Sequence, residues 1–329
     1  METENVPHLN HLVIVAPNWL GDAVMALPAI ADIRRACPDL TIAVSARPPI
    51  APLFELVPGV NDVVAAPPPA GRSFDAALLL PNSFHSALAA WRAGIAQRWG
   101  YGTDLRGFLL TRAIRAPRPQ DHLHQAAAYQ RLVRELGYPS GPLQPQLTVP
   151  PRAREAAADL LVSAGWDRQR PLVALAPGAA YGGAKRWPPG SFAAVAERLA
   201  RDGAAVVLVG SAADARAGQE VERASGAPLI NLMGRTDLST LAGVLVQCRA
   251  LATNDSGAMH VAAALGVAVT AMFGPTDERE TRPVGSADPA VLTHAVWCRP
   301  CMLRECPIGH GCMQGIAADD VLAAVRRTL

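Results

Sequence analysis

Short aliphatic, β-favouring runs alternate with longer helical patterns along nearly the whole chain, and this βαβ rhythm leaves few architectures open. It starts with strand-like Leu12–Ala16, helical Gly21–Ala36 and strand-like Leu40–Ser45. Val60–Ala65 and Phe74–Leu80 read as further strands, and Ser83–Ala93 gathers its small and apolar residues on one helical face. Runs this apolar suit strands buried on both sides, so the spacing predicts a parallel sheet covered by helices. From Tyr138 to Pro151 the periodicity stops and five prolines stiffen the backbone, which marks a domain boundary. The rhythm then resumes with helix Ala153–Ala164, strand Leu172–Ala176, helix Phe192–Arg201 and strand Ala205–Val209. Ala250–Thr253, Ala258–Leu265 and Val267–Phe273 follow as strand, helix and strand, and Ala317–Leu329 reads as a closing amphipathic helix. The expected organisation is two α/β halves, residues 1–150 and 151–316, with a C-terminal helix at 317–329.

A length of 329 residues agrees with about two domains at roughly 150 residues each. Half the residues are hydrophobic and 18% are charged, which excludes a disordered chain. A formal charge of +2 argues against a dedicated nucleic-acid binder. Lys185 is the only lysine; all other basic side chains apart from histidine are arginine. Met1–His11 holds two glutamates and no apolar stretch, so no signal peptide is expected and the location reads as cytoplasmic. The most apolar window, Met259–Phe273, is shorter than the roughly 20 residues of a spanning helix and is divided by Gly266, so it reads as a helix followed by a buried strand.

Open α/β sheets bind ligands beyond the carboxyl ends of their strands, which directs attention to three loops. The first, Pro17-Asn18-Trp19-Leu20-Gly21-Asp22, leaves the first strand and opens a helix. Gly21 permits a tight turn, and Asp22 is a carboxylate at the sheet mouth, although an acidic residue there also simply favours the helix dipole. The loop lacks the GxGxxG pattern of nicotinamide-nucleotide sites. The second, Pro177-Gly178 through Gly182-Gly183-Ala184-Lys185-Arg186-Trp187-Pro188, offers glycines, backbone amides and two cations to a phosphate. It is not a Walker loop, because no Ser or Thr follows the lysine. The third, Asn254-Asp255-Ser256-Gly257-Ala258-Met259-His260, opens a helix that Asp255 or Ser256 can cap, with His260 one turn further on the same face. A capping motif and a satisfied core histidine also account for these residue types.

Together with Phe273-Gly274-Pro275-Thr276 and the tail Cys298-Arg299-Pro300-Cys301 through Cys306-Pro307-Ile308-Gly309-His310, these loops resemble the bacterial lipopolysaccharide heptosyltransferases of glycosyltransferase family 9, and among them the type that adds the second heptose. The resemblance implies a GT-B fold: two Rossmann-like domains facing across a cleft, the N-terminal one binding acceptor, the C-terminal one binding ADP-heptose, and the C-terminal helix packing back toward the N-terminal domain. It implies inverting transfer of L-glycero-D-manno-heptose from ADP-heptose to the first heptose of the lipopolysaccharide inner core, with no cofactor required. Asp22 is then the candidate catalytic base and Lys185 the cation at the departing diphosphate. Asp255, Ser256, Gly257 and His260 would hold the donor, with Gly178, Gly274 and Thr276 in further donor loops. Related readings are a first-type or third-type heptosyltransferase with another core acceptor; a metal-binding module or a sugar-nucleotide epimerase would belong to different classes.

Two features stand apart. Cys298, Cys301, Cys306 and Cys312 follow the spacing Cys-x2-Cys-x4-Cys-x5-Cys, which is compatible with structural zinc or iron–sulfur ligation, or with reduced thiols packed around Trp297 and Met302, or with a disulfide formed on oxidation. Arg92 to Arg134 carries eight arginines against Asp104 and Asp121, so this stretch is either a solvated basic face or an attraction for a phosphorylated lipid core and the cytoplasmic face of the inner membrane.

Overall fold

The computed structural model describes residues 7–285 and 287–329. The expectation of a leader-free N-terminus therefore lies largely outside the described residues. The chain divides into two compact units, Met1–Thr148 and Val149–Leu329.

The first unit is a six-stranded parallel sheet of β1 (His11–Val15), β2 (Thr41–Ala46), β3 (Asp62–Ala65), β4 (Ala76–Leu79), β5 (Gln97–Tyr101) and β6 (Arg112–Ile114), in the order β3-β2-β1-β4-β5-β6. Central β1 pairs Val13 with Ala43 on one side and with Ala77 on the other. Leu12, Val13 and Ile14 are wholly buried, as strands covered on both faces require, each contributing about 1.5–3 kcal/mol by leaving water. The helix expected over Gly21–Ala36 is two helices, Leu20–Met25 and Leu27–Ala36. Pro28 accounts for the break, because it has no N–H to donate and its ring crowds the carbonyl four residues back. Asp32, buried on the second of these helices, accepts hydrogen bonds from Gly141 N at 3.0 Å and Gln130 Nε2 at 2.9 Å, fixing the Pro-rich segment to its own unit.

The second unit repeats the plan. Its strands are β7 (Leu172–Ala176), β8 (Ala205–Leu208), β9 (Ile230–Asn231), β10 (Cys248–Asn254), β11 (Ala268–Phe273) and β12 (Ala290–Thr293), in the order β12-β11-β10-β7-β8-β9. Read from the other edge, this is the strand order of the first unit. In both, the order reverses beside the unit's first strand, the place where open α/β sheets generally bind ligands, beyond the carboxyl ends. The apolar window over Met259–Phe273 is the helix Gly257–Ala264 followed by β11, as its length required. The closing helix, Ala318–Arg326, packs within the second unit. Val321, Leu322 and Val325 join the core of the second unit with Phe192, Val195 and Leu199. Arg326 bonds Asp202 at 2.8 and 3.0 Å, and Arg198 pairs with Asp319, which locks the helix to Pro189–Arg201.

Candidate active site

In the second unit the reversal lies between β7 and β10, which are paired in register from Ala250↔Val173 to Thr253↔Ala176. The loops that follow these two strands must therefore emerge side by side, although their residues are some 70 positions apart. Asn254, buried at the end of β10, joins them. Its Nδ2 donates to Pro177 O at 2.8 Å and to Gly178 O at 3.2 Å, and its Oδ1 accepts from Trp187 N at 3.0 Å. Both ends of the lysine loop are thus held by one amide. Trp187 anchors the far end by packing edge-on against Phe192 and donating Nε1–H to Ile316 O at 3.0 Å.

Within that frame Lys185 Nζ lies 2.5 Å from Asp255 Oδ2, and the same oxygen accepts from Thr276 Oγ1 at 2.7 Å. Three residues from three different strand-end loops thus form one network. The pair is largely withdrawn from water, with side-chain exposures of 11% for Lys185 and 6% for Asp255. The Tyr181 ring lies 4.7 Å from the ammonium and 5.4 Å from the Arg304 guanidinium. Ser256 occupies the N-cap position of helix Gly257–Ala264, yet its hydroxyl bonds Thr253 Oγ1 at 3.0 Å and makes no capping bond. Met259 N donates to Ser256 O at 3.2 Å, but the cap side chain satisfies none of the first-turn amides, an arrangement that suits an anion. His260 is buried one turn along the same helix.

The two loop glycines are required for close packing. A side chain on Gly178 would run into Asp214, and one on Gly274 into Met313. A cavity of about 310 Å³ adjoins the loop, lined by Pro177, Gly183, Trp187 and Ala217, but not by Lys185, Asp255 or His260.

Asp22 belongs to the first unit, on the six-residue helix that follows β1 beside that unit's own reversal. It is half-buried, and its charge acts with burial to push the Tyr129 hydroxyl above the usual tyrosine range, burial being the larger cause. Trp19 at the N-cap makes no side-chain bond to this helix and is half exposed.

Sequence reasoning placed Lys185, Asp255, Ser256, Gly257, Gly274 and Thr276 in loops that follow strands and His260 on the helix that opens after Ser256, and there they lie, except that Gly257 is already the first residue of that helix. It missed Asn254 as a staple and Tyr181 as the ring beneath the lysine. It also missed that the cysteine-bearing tail forms part of the site's wall: Arg304 O accepts from Ala184 N at 2.9 Å, Glu305 Oε1 from Gly183 N at 2.9 Å, and Met302 O from Tyr181 Oη at 2.7 Å. Trp297 lines one cavity with the four thiols but is itself 90% exposed, and Met302 is half exposed. The basic stretch is also thinner than its composition suggests. Arg106 is wholly buried, bonded to Tyr101 O, Pro81 O and Ser86 Oγ, and burial lowers its pKa to about 10. Arg98 is bonded to the carbonyls of Ile95, Ala96 and Leu109, and Arg112 covers the Trp99 ring.

Residues 70–311 match the family described as glycosyltransferase family 9 (heptosyltransferase). The chain belongs to that family. It is 33% identical over 300 residues to lipopolysaccharide heptosyltransferase 2 of Salmonella typhimurium, covering 83% of this chain and 85% of that one. It is 31% identical over 298 residues to lipooligosaccharide heptosyltransferase 2 of Haemophilus influenzae, with 83% and 86% covered. Among solved structures, ADP-heptose lipopolysaccharide heptosyltransferase II of Escherichia coli superposes with a TM-score of 0.82 at 28% identity, covering 97% of this chain and 98% of that one. The two-domain α/β architecture is that of the GT-B heptosyltransferases, and the chain is a glycosyltransferase.

Proposed function

We propose that this enzyme transfers L-glycero-D-manno-heptose from ADP-heptose to the first heptose of the lipopolysaccharide inner core, with inversion at the anomeric carbon. The observation that carries the reading is the Lys185–Asp255–Thr276 network at the sheet reversal, in a chain about one-third identical to second-type heptosyltransferases over five-sixths of its length. The second unit supplies the donor loops and the first supplies the base. Asp22 accepts the proton of the acceptor hydroxyl as its oxygen bonds to the anomeric carbon, and the bond from that carbon to the diphosphate oxygen breaks. ADP departs with the electron pair. Lys185 and the first amides of helix Gly257–Ala264 stabilise the charge that develops on it. Asp255 and Thr276 keep the ammonium in place for this, while Ser256, Gly257 and His260 hold the sugar and phosphate.

The acceptor is anchored in a lipid, and we place the enzyme at the cytoplasmic face of the inner membrane. Among the described residues no helix is long and apolar enough to cross a membrane. Support for peripheral contact comes from Leu105 and Phe108, 91% and 77% exposed on one turn, with half-exposed Trp91 on the helix packed against it and exposed Arg92 beside that tryptophan. Apolar side chains next to arginine favour an anionic bilayer surface.

The test is ADP release from ADP-heptose with inner-core acceptors carrying no heptose or one. Release that requires the singly heptosylated acceptor supports the reading. Release with the heptose-free acceptor alone would assign the chain to the first type instead.

A further inference from the structure

Between β12 and the helix Gly311–Gln314, residues 294–310 run without helix or strand. Partly buried Val296 packs on the core, but Trp297, Met302, Leu303 and Ile308 are all exposed, so burial of apolar surface does little to hold the strap. Its contacts to the donor loops are nevertheless close. Met302 N donates to Pro275 O at 2.9 Å, Arg299 Nε donates to Gly274 O at 2.7 Å, and Arg304 O accepts from Ala184 N, next to Lys185. A segment that forms the wall of an active site while burying so little requires another source of order.

The four cysteines of this region line one cavity of about 180 Å³. None is in a disulfide. Cys298, Cys301 and Cys306 come from the strap and Cys312 from the helix that follows it, so a group bound by all four would close the strap onto the core. His310 directs its backbone N–H to Cys306 Sγ at 3.2 Å, a donor of the kind that steadies a metal-bound thiolate, while the residue itself lines the separate cavity beside Arg186. The ligand set offered is therefore four sulfurs. No three of them lie within 4.8 Å of one another. A single tetrahedral ion with bonds of about 2.3 Å brings its sulfurs to about 3.8 Å apart, so binding one ion draws the strap inward, whereas an iron–sulfur cluster accepts wider spacing.

We propose that Cys298, Cys301, Cys306 and Cys312 bind a thiophilic metal centre, zinc or iron, that orders the strap and through it the Gly183–Lys185 turn. The centre is structural: no substrate atom meets it, and each thiol gives up its proton on binding. The assignment is independent of which acceptor the enzyme uses.

The full chain is purified without chelator and analysed for zinc, iron and acid-labile sulfide, beside the Cys298→Ser/Cys301→Ser variant. The expected result is about one zinc or iron per chain, or several irons with matching sulfide, falling at least tenfold in the variant. Amide exchange is then followed in the wild-type protein before and after removal of the metal. Protection should fall in residues 181–186 as well as in 294–310, which thiols serving only as packing would not produce. Should the variant fail to fold, cobalt(II) added to the stripped wild-type chain decides, since four thiolates give intense near-ultraviolet charge-transfer absorption. A chain that carries less than a tenth of an equivalent of metal and binds neither zinc(II), iron(II) nor cobalt(II) through sulfur overturns the proposal, as does full metal retention by a folded variant.

Discussion

Replacing Asp255 by asparagine preserves the side chain's shape and its acceptor for the Thr276 hydroxyl but removes the charge opposite Lys185. In the native arrangement the two charges are 2.5 Å apart and nearly out of water. The ammonium would then face a neutral amide in a site that water barely enters. Breaking a buried ion pair from one side costs about 3–5 kcal/mol, much of it the desolvation of the charge left behind. For a unit of this size each kcal/mol moves the midpoint by about 2–4 °C, so the calorimetric transition of the second unit should fall by roughly 6–20 °C. The double variant Asp255→Asn/Lys185→Met is the sharper test. With both charges gone the penalty disappears, and at least half the lost stability should return while activity does not. The loss should also be nearly the same from low to high salt, since a withdrawn pair is poorly screened. A single-variant loss under about 1 kcal/mol, or a double variant as unstable as the two single losses added, would refute the buried-pair reasoning.

Other consequences follow from single side chains. Asp22→Asn should lower kcat by about 10²- to 10⁴-fold and leave ADP-heptose binding by calorimetry unchanged; full turnover would remove Asp22 as the base. Asp237 caps helix Leu238–Leu245 by accepting from Thr240 N at 2.7 Å, and that bond holds its carboxyl below the usual range. Its stabilisation is therefore complete above the unfolded pKa of about 3.9 and is lost as pH falls through the lower folded value. Asp237→Ala should cost about 1 kcal/mol in urea unfolding at pH 7 and little at strongly acid pH; a constant difference across that range contradicts the cap. Leu105→Ser/Phe108→Ser should reduce co-sedimentation with anionic vesicles several-fold without altering turnover of a detergent-free, truncated acceptor, and unchanged sedimentation would dismiss this turn as the membrane contact.

The strands that carry the site were legible because they are buried on both faces. Leu172–Ala176 is aliphatic throughout and is bounded by proline on either side, and Val267–Phe273 differs from β11 by one residue. The last two strands of the first sheet lack that signature: β5 begins with Gln97 and Arg98, edge strand β6 has three residues and one exposed face, and both went unread. Helix Gln125–Glu135 was hidden inside a stretch that stood out only for its arginines, and the burial of Arg106 has no local signal at all. Each of these loops was recognisable from its glycines and polar residues. Their joining was not, because Asn254, Lys185, Asp255 and Thr276 meet only once the strand order sets β7 beside β10. An apolar stripe likewise shows that the closing helix packs, but not on which sheet.

The most direct test of the catalytic account is the anomeric configuration of the new linkage relative to the donor, determined by nuclear magnetic resonance after a single turnover with ADP-heptose and the singly heptosylated acceptor. Direct displacement with Asp22 as base and Lys185 at the leaving diphosphate predicts inversion. A product with the donor's configuration retained would require a second displacement and would contradict it.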